Sequence, residues 1–182
     1  MLNVLNSEMP DNVALVDGER CWTYAEVEKR VLHCASGLLG GRADLEEARI
    51  AFLMPASVDY VTVLHGIWRA GGIAIPLNVA ATESEWEHCL ASAGVTQVVA
   101  AEPQVASIQG LCERLSIPLG TVGHYWADTL SPLPALSPER RAMIVFTSGT
   151  TSKPKGAVTT HGNIAAQIGT LVEAWSWEAE DT

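Results

Sequence analysis

Apolar positions along this chain alternate between two rhythms: short solid runs, and longer segments whose apolar residues recur at helical spacing. Val13 to Val16, the Asp17-Gly18 pair and Cys21-Trp22-Thr23 predict a small hairpin. Thr23 and Glu26 then have capping-box spacing ahead of Val27, Val31, Cys34, Leu38 and Leu39, so a helix follows and ends at Gly40-Gly41. Ile50 to Met54 reads as a buried strand. Ser57 caps a helix from Val58 to Ala70, Gly71-Gly72 breaks it, and Ile73 to Leu77 is the next strand. Thr82 with Glu85 opens a helix through Trp86, Cys89 and Leu90 that closes at Gly94, and Gln97 to Ala100 is a strand. Val105, Ile108, Leu111, Cys112 and Leu115 share one face of a further helix, before a short strand at Leu119 to Val122. Strand alternating with helix in this way predicts an α/β fold, a parallel sheet covered by helices.

Pro132, Pro134 and Pro138 fall within residues 131–138, which therefore read as an extended linker. The expected organisation is an N-terminal α/β unit over 1–130, this linker, and an incomplete second unit over 139–182. The second unit has a strand at Ala142 to Phe146, a polar loop from Thr147 and strand-like Ala157 to Thr160. A helix capped by Asn163 and carrying Ile164, Ile168, Leu171, Val172 and Trp175 completes it.

Composition narrows the function classes. With 182 residues, 48% hydrophobic and 18% charged, the chain has material for a packed core. Eleven Lys plus Arg stand against 21 Asp plus Glu, and a net charge of -10 argues against nucleic acid or an anionic membrane as partner. The cysteines, Cys21, Cys34, Cys89 and Cys112, are far apart and lack clustered histidines, so buried, reduced thiols are expected rather than a metal site or disulfide framework. Glu8, Asp11, Asp17 and Glu19 against the single base Arg20 give no targeting pattern, and no run has the length of a membrane span. A soluble cytosolic protein is the expectation.

The chemistry concentrates in Thr147 to Gly156, TSGTTSKPKG. Gly149 lets backbone N–H groups approach an anion, the hydroxyls of Thr147, Ser148, Thr150 and Thr151 donate hydrogen bonds, and Lys153 and Lys155 balance negative charge. These are the types a polyphosphate needs. The frame is not the Walker loop, because Pro154 stands where G-x-x-x-x-G-K-[ST] needs glycine, and the kinase G-x-G-x-x-G is absent.

The segment resembles the phosphate-binding signature TSGTTGxPKG of the adenylate-forming superfamily of acyl-CoA synthetases, adenylation domains and luciferases, and departs from it at Ser152, where the family has glycine. If that position needs positive φ, serine costs about 1 kcal/mol there. Ala14-Leu15-Val16 with Trp22-Thr23-Tyr24, Trp68-Arg69-Ala70-Gly71-Gly72 and Pro76-Leu77-Asn78 extend the resemblance over most of the chain, and His161-Gly162-Asn163 matches the family's H-x-N. Trp175-Ser176-Trp177 with Glu180-Asp181 is similar to the malonyl-CoA synthetase branch.

The resemblance implies the N-terminal portion of an adenylate-forming enzyme fold and a two-step reaction. A carboxylate attacks the α-phosphate of Mg-ATP and releases pyrophosphate, and the thiol of CoA then displaces AMP. It implies phosphate contact by Thr147, Ser148, Gly149, Thr150, Thr151 and Lys155, with Ser152, Lys153 and Gly156 completing the binding segment. ATP, Mg2+ and CoA are the implied cofactors and co-substrates, and a carboxylic acid the implied partner. The family's adenine, ribose, magnesium, acid and catalytic-lysine positions lie in segments this sequence does not contain, so no catalytic residue and no metal ligand is assigned. A truncated ligase, inactive alone and prone to self-association, is expected. Two other readings stay open: a non-catalytic nucleotide or phosphate-binding module, and an interaction domain with a relic loop.

Overall fold

The computed structural model describes residues 10–147 and 154–177. β1 (Val13–Asp17) and β2 (Arg20–Thr23) pair antiparallel and lead into α1 (Tyr24–Leu39). The capping box forms: the Thr23 hydroxyl accepts from the Glu26 N–H at 3.2 Å, and the Glu26 carboxylate accepts from the Thr23 N–H at 2.9 Å. Then come β3 (Arg49–Leu53), α2 (Val58–Arg69), β4 (Ile73–Leu77), α3 (Glu83–Ala93), β5 (Gln97–Ala100), α4 (Glu102–Leu115) and β6 (Leu119–Thr121). After the proline-rich stretch follow β7 (Arg141–Thr147), β8 (Lys155–Thr160) and α5 (His161–Trp175).

The main sheet has the order β6-β5-β3-β4-β7-β8. Its strands run parallel except β8, which pairs antiparallel with β7, so the expected parallel sheet is mixed at one edge. The reason is local. Residues 148–154 between β7 and β8 are too few for the helical crossover that parallel pairing needs.

Both faces of the sheet are covered, which is why the strands read as unbroken apolar runs. Ile50 and Phe52 point to the layer of α1 and α2, where they meet Leu38, Leu39, Ile67 and Trp68. Ala51 and Leu53 point the other way, to Trp86, Leu90, Ile108 and Leu111 of α3 and α4. A third cluster joins Trp22 of the hairpin to Val27, Val31 and Val58.

Residues 131–138 contain no regular structure but lie on the first layer: the Ser131 N–H donates to Ser36 Oγ at 2.9 Å and Leu133 packs on the core. The strand they lead to, β7, is hydrogen-bonded beside β4. Arg140, just before β7, forks onto Asp44 at 2.5 and 2.9 Å and donates to the Gly71 carbonyl at 2.7 Å. The Arg140 hydrogen bonds hold the Asp44 carboxyl below the usual range. Gly71 has φ of 84°, and a Cβ there would run into the Asp44 carboxylate, which explains the glycine after Trp68-Arg69-Ala70.

Two expectations need correction. Asn163 is not the N-cap of α5. Thr160 holds that position, and Asn163 sits three residues in, where its side chain accepts from the Thr160 N–H at 3.0 Å and its N–H donates to the Thr160 hydroxyl at 3.1 Å. An asparagine carbonyl serves the reciprocal place as a glutamate would, so Asn163 closes the box instead of opening it. Cys34, Cys89 and Cys112 are buried free thiols, whereas Cys21 is exposed because β2 turns it away from the Trp22 side of the hairpin.

Candidate functional site

β7 runs parallel to β4 and ends at Thr147, so the loop that follows leaves from the carboxyl edge of the parallel strands, where crevices of α/β sheets collect ligands. The chain returns in β8 with Lys155 opposite Thr147 and Gly156 opposite Phe146. The Thr147 hydroxyl closes the mouth by donating to the Lys155 carbonyl at 3.5 Å. Thr147, Lys155 and Gly156 are thus brought together. Ser148, Gly149, Thr150, Thr151, Ser152 and Lys153 lie outside the described residues.

Thr147 and Lys155 are both exposed. The Lys155 side chain is thus accessible to an anion, and an ammonium on four methylenes suits a phosphate as a point charge, whereas the Thr147 hydroxyl would have to turn from the Lys155 carbonyl to donate to one. Gly156 also carries a packing constraint. A Cβ there would stand 2.9 Å from Ile144 Cγ2 and 3.3 Å from the Phe146 ring, so the glycine lets β8 close over those side chains.

His88 of α3 was not anticipated from the sequence. Its Nε2 lies 2.9 Å from the carbonyl oxygen of Pro154, and its ring meets Phe146 edge to face with centroids 6.3 Å apart. A donating Nε2–H is the tautomer this carbonyl requires. No local signal marks His88, because its partner is 66 residues away.

Two clefts flank this point. One of about 410 Å³ runs between α3 and the β7–β8 ribbon, past Arg49, His88, Arg141, Phe146, Pro154 and Lys155. A smaller one of about 290 Å³ opens at the carboxyl end of β4, beside Leu77, Asn78, Trp86, Phe146 and Pro154. Another cleft, about 590 Å³ and larger than either, lies at the opposite edge of the sheet beside α4 and β6, away from these groups. Volume alone is therefore a poor guide to the site here.

His161 sits at the far end of β8, roughly 20 Å from Lys155 at about 3.4 Å per residue. It is 5% exposed, meets Trp68 edge to face at 6.0 Å, and donates its backbone N–H to the Arg140 carbonyl at 3.0 Å. Burial, with Arg140 nearby, pushes its imidazole pKa down. Trp68 in turn donates its indole N–H to the Ala142 carbonyl at 2.8 Å, so Trp68 and His161 tie α2, β7 and α5 together. Trp175 and Trp177, at the end of α5, meet each other at 4.9 Å and are 61% and 48% exposed. Glu180 and Asp181 lie outside the described residues. Among the described residues no group of three His, Cys, Asp or Glu could hold a metal, and no helix is long and apolar enough to cross a membrane.

The chain is similar to known proteins along most of its length. Against mouse mitochondrial malonate–CoA ligase ACSF3 it is 35% identical over 182 residues, covering 94% of this chain and 31% of that protein. Against the human counterpart it is 32% identical, again over 94% of this chain, and 32% of that protein. A feruloyl-CoA synthase from Amycolatopsis is 30% identical over 90% of this chain and 33% of that protein. The chain thus spans about a third of the length of these relatives. Among solved structures, ATP-bound MatB from Rhodopseudomonas palustris superposes with a TM-score of 0.85 at 25% identity, covering 96% of this chain and 37% of that one. The fold is the N-terminal part of the one adenylate-forming enzymes use. The model of the AMP-binding enzyme family matches residues 4–182, and the chain belongs to that family.

Proposed function

We propose that this chain supplies the phosphate-binding portion of an ATP-dependent acid–CoA ligase, with malonate the best-supported acid. The observation that supports the reading is the place of Thr147 and Lys155, which flank most of TSGTTSKPKG: they pair at the carboxyl edge of the parallel strands and are joined by a hydrogen bond. The similarity to malonate–CoA ligases favours malonate, and the exposed Trp175 and Trp177 lie in the segment resembling that branch.

In this reading Thr147, Ser148, Gly149, Thr150, Thr151 and Lys155 take the β- and γ-phosphates, with Ser152, Lys153 and Gly156 shaping the segment. The acid's carboxylate attacks the α-phosphorus and the bond to the bridging oxygen breaks toward pyrophosphate. Hydroxyls, backbone N–H groups and Lys155 hold the negative charge that gathers on the leaving group, which is electrostatic and positioning catalysis. Mg2+, when bound with ATP, would help neutralise the phosphate charge. The CoA thiol then takes the acyl group from AMP. The chain spans about a third of the length of its relatives, and in this reading the isolated chain is expected to be inactive. Buried free thiols fit a reducing compartment, mitochondrial or cytosolic.

Calorimetric titration with Mg-ATP is expected to give saturable binding that Lys155→Ala weakens about tenfold or more, the worth of a charge-assisted contact. Absence of binding, or indifference to Lys155→Ala, would sink the phosphate reading. Malonate-dependent ATP–pyrophosphate exchange by the isolated chain would show instead that it is a competent enzyme.

Self-association of the isolated chain belongs to the same proposal. Val158, Val172, Trp175 and Trp177 are 40–61% exposed along β8 and α5, and β8 is an edge strand with one side unpaired in the sheet. Light scattering is expected to show dimers or larger species at micromolar concentration. A clean monomer would count against it.

A further inference from the structure

The phosphate loop has a mouth whose two sides are fixed unequally. On the β7 side Thr147 continues a strand bonded on both flanks, to β4 and to β8. On the other side Pro154 precedes β8, the edge strand, and has no N–H with which to join any ladder. What fixes Pro154 comes from elsewhere: His88, donating from Nε2 to the Pro154 carbonyl at 2.9 Å.

The histidine is itself held rigidly. α3 starts in the Thr82–Glu85 capping box, with the Glu85 carboxylate 2.7 Å from the Thr82 N–H. Its rotation is set by Trp86, which buries its ring while donating the indole N–H to the Asn78 carbonyl at 2.9 Å. One turn of helix further, the Ser92 hydroxyl donates to the His88 carbonyl at 2.6 Å. The imidazole edge packs against Phe146, one residue before the loop. A single side chain therefore touches both limbs of the hairpin, the Phe146 ring on the outgoing limb and the Pro154 carbonyl on the returning one.

We propose that His88 is a positioning residue for the phosphate loop: by fixing the Pro154 carbonyl it sets the direction in which the next residue, Lys155, presents its ammonium group. The inference rests on the phosphate-binding reading above for its purpose, though not for its geometry. It assigns no proton transfer to His88.

Two substitutions separate anchoring by the hydrogen bond from simple packing. His88→Phe keeps a ring against Phe146 and removes the donor, whereas His88→Gln restores an N–H donor at a similar reach. Amide hydrogen exchange at Lys155, Gly156 and Ala157 and calorimetric Mg-ATP affinity would be measured in both variants and the unaltered chain. His88→Phe is expected to speed exchange there and to weaken ATP binding, each roughly fivefold, the factor one ordinary hydrogen bond is worth. His88→Gln is expected to return both to within about twofold. Unchanged exchange in His88→Phe would overturn the proposal. So would equal loss in both variants, which would make the ring's packing responsible, and so would faster exchange with unaltered ATP affinity. If the unaltered chain bound no Mg-ATP, the failure would fall on the phosphate reading, and exchange would still decide the anchor.

Discussion

Gly37→Ala is expected to lower the stability of this chain by about 3 kcal/mol and its melting temperature by roughly 6–12 °C, the upper end of what overpacking costs. In most helices the same change stabilises, because alanine propagates a helix better by about 1 kcal/mol. Here the helix has a neighbour on its glycine face. A Cβ at Gly37 would overlap the backbone carbonyl of Tyr125 and stand 3.1 Å from its Cα. The turn carrying Tyr125 cannot back away cheaply. The Ala127 N–H donates to the His33 carbonyl at 3.2 Å, His33 Nδ1 lies 2.7 Å from the Ala127 carbonyl, and the rings of His33 and Trp126 stack at 4.8 Å. One residue of added bulk therefore sets α1 against three contacts that hold the turn to it. Gly110→Ala in α4 is the internal comparison, since nothing lies within 4 Å of its would-be Cβ. Thermal melts of the two variants should move in opposite directions. A Gly37→Ala protein as stable as the unaltered one would show that the turn is not packed as described.

Acidification is expected to destabilise the fold well before its carboxylates are neutralised. His65 lies on α2 with its ring edge to face against Trp68 at 5.1 Å. Burial, assisted by the positive charge of Arg69, pushes its pKa down from 6.5 to about 4. The unfolded chain takes up this proton near pH 6.5 and the folded chain only near pH 4, so between those values the unfolded state binds more protons. Stability must therefore fall as pH falls through that window, by at most about 3 kcal/mol from this one group at its acid end. His161, shifted the same way by burial, adds to the same slope. Urea melts between pH 7.5 and 4.5 should show the loss, and His65→Phe, which keeps an aromatic ring for Trp68 while removing the titrating nitrogen, should flatten it. A slope unchanged by His65→Phe would mean that this imidazole is not buried neutral. The Asp44–Arg140 pair acts in a lower window. Its carboxyl is held below the usual 3.8, so the stability it contributes is present above that value and is lost as pH falls through its folded pKa.

What the sequence determined by itself is what a few neighbouring residues can enforce. Thr23 with Glu26 and Thr82 with Glu85 each place both partners of a capping box within one turn, and the boxes formed as read. Gly40 and Gly94 end their helices in the left-handed region. The apolar runs of β3, β4 and β5 declared strands buried on two faces because no polar residue interrupts them. The loop TSGTTSKPKG stands out as a candidate for the same reason, since its hydroxyls, glycines and lysines are contiguous. Even the cap of α5 is displaced by only three residues, from Asn163 to Thr160, because both types serve as N-caps.

Tertiary structure alone decided which strands meet and which distant groups finish the site. The order β6-β5-β3-β4-β7-β8 puts β7 beside β4 across the whole of α3, β5, α4 and β6, and nothing in either strand's few residues names the other. Gly156 reads in the sequence as part of the phosphate segment, and only the β7–β8 register shows that the bulk it avoids belongs to Ile144 and Phe146. His88 lies on a helix whose own pattern speaks only of Trp86, Cys89 and Leu90, and its partner is the carbonyl of Pro154. Caps and periodicity arise from bonds between residues a few positions apart, so they are written in the chain. Contacts between residues far apart depend on the summed packing of every layer, and they exist only once the sheet has closed.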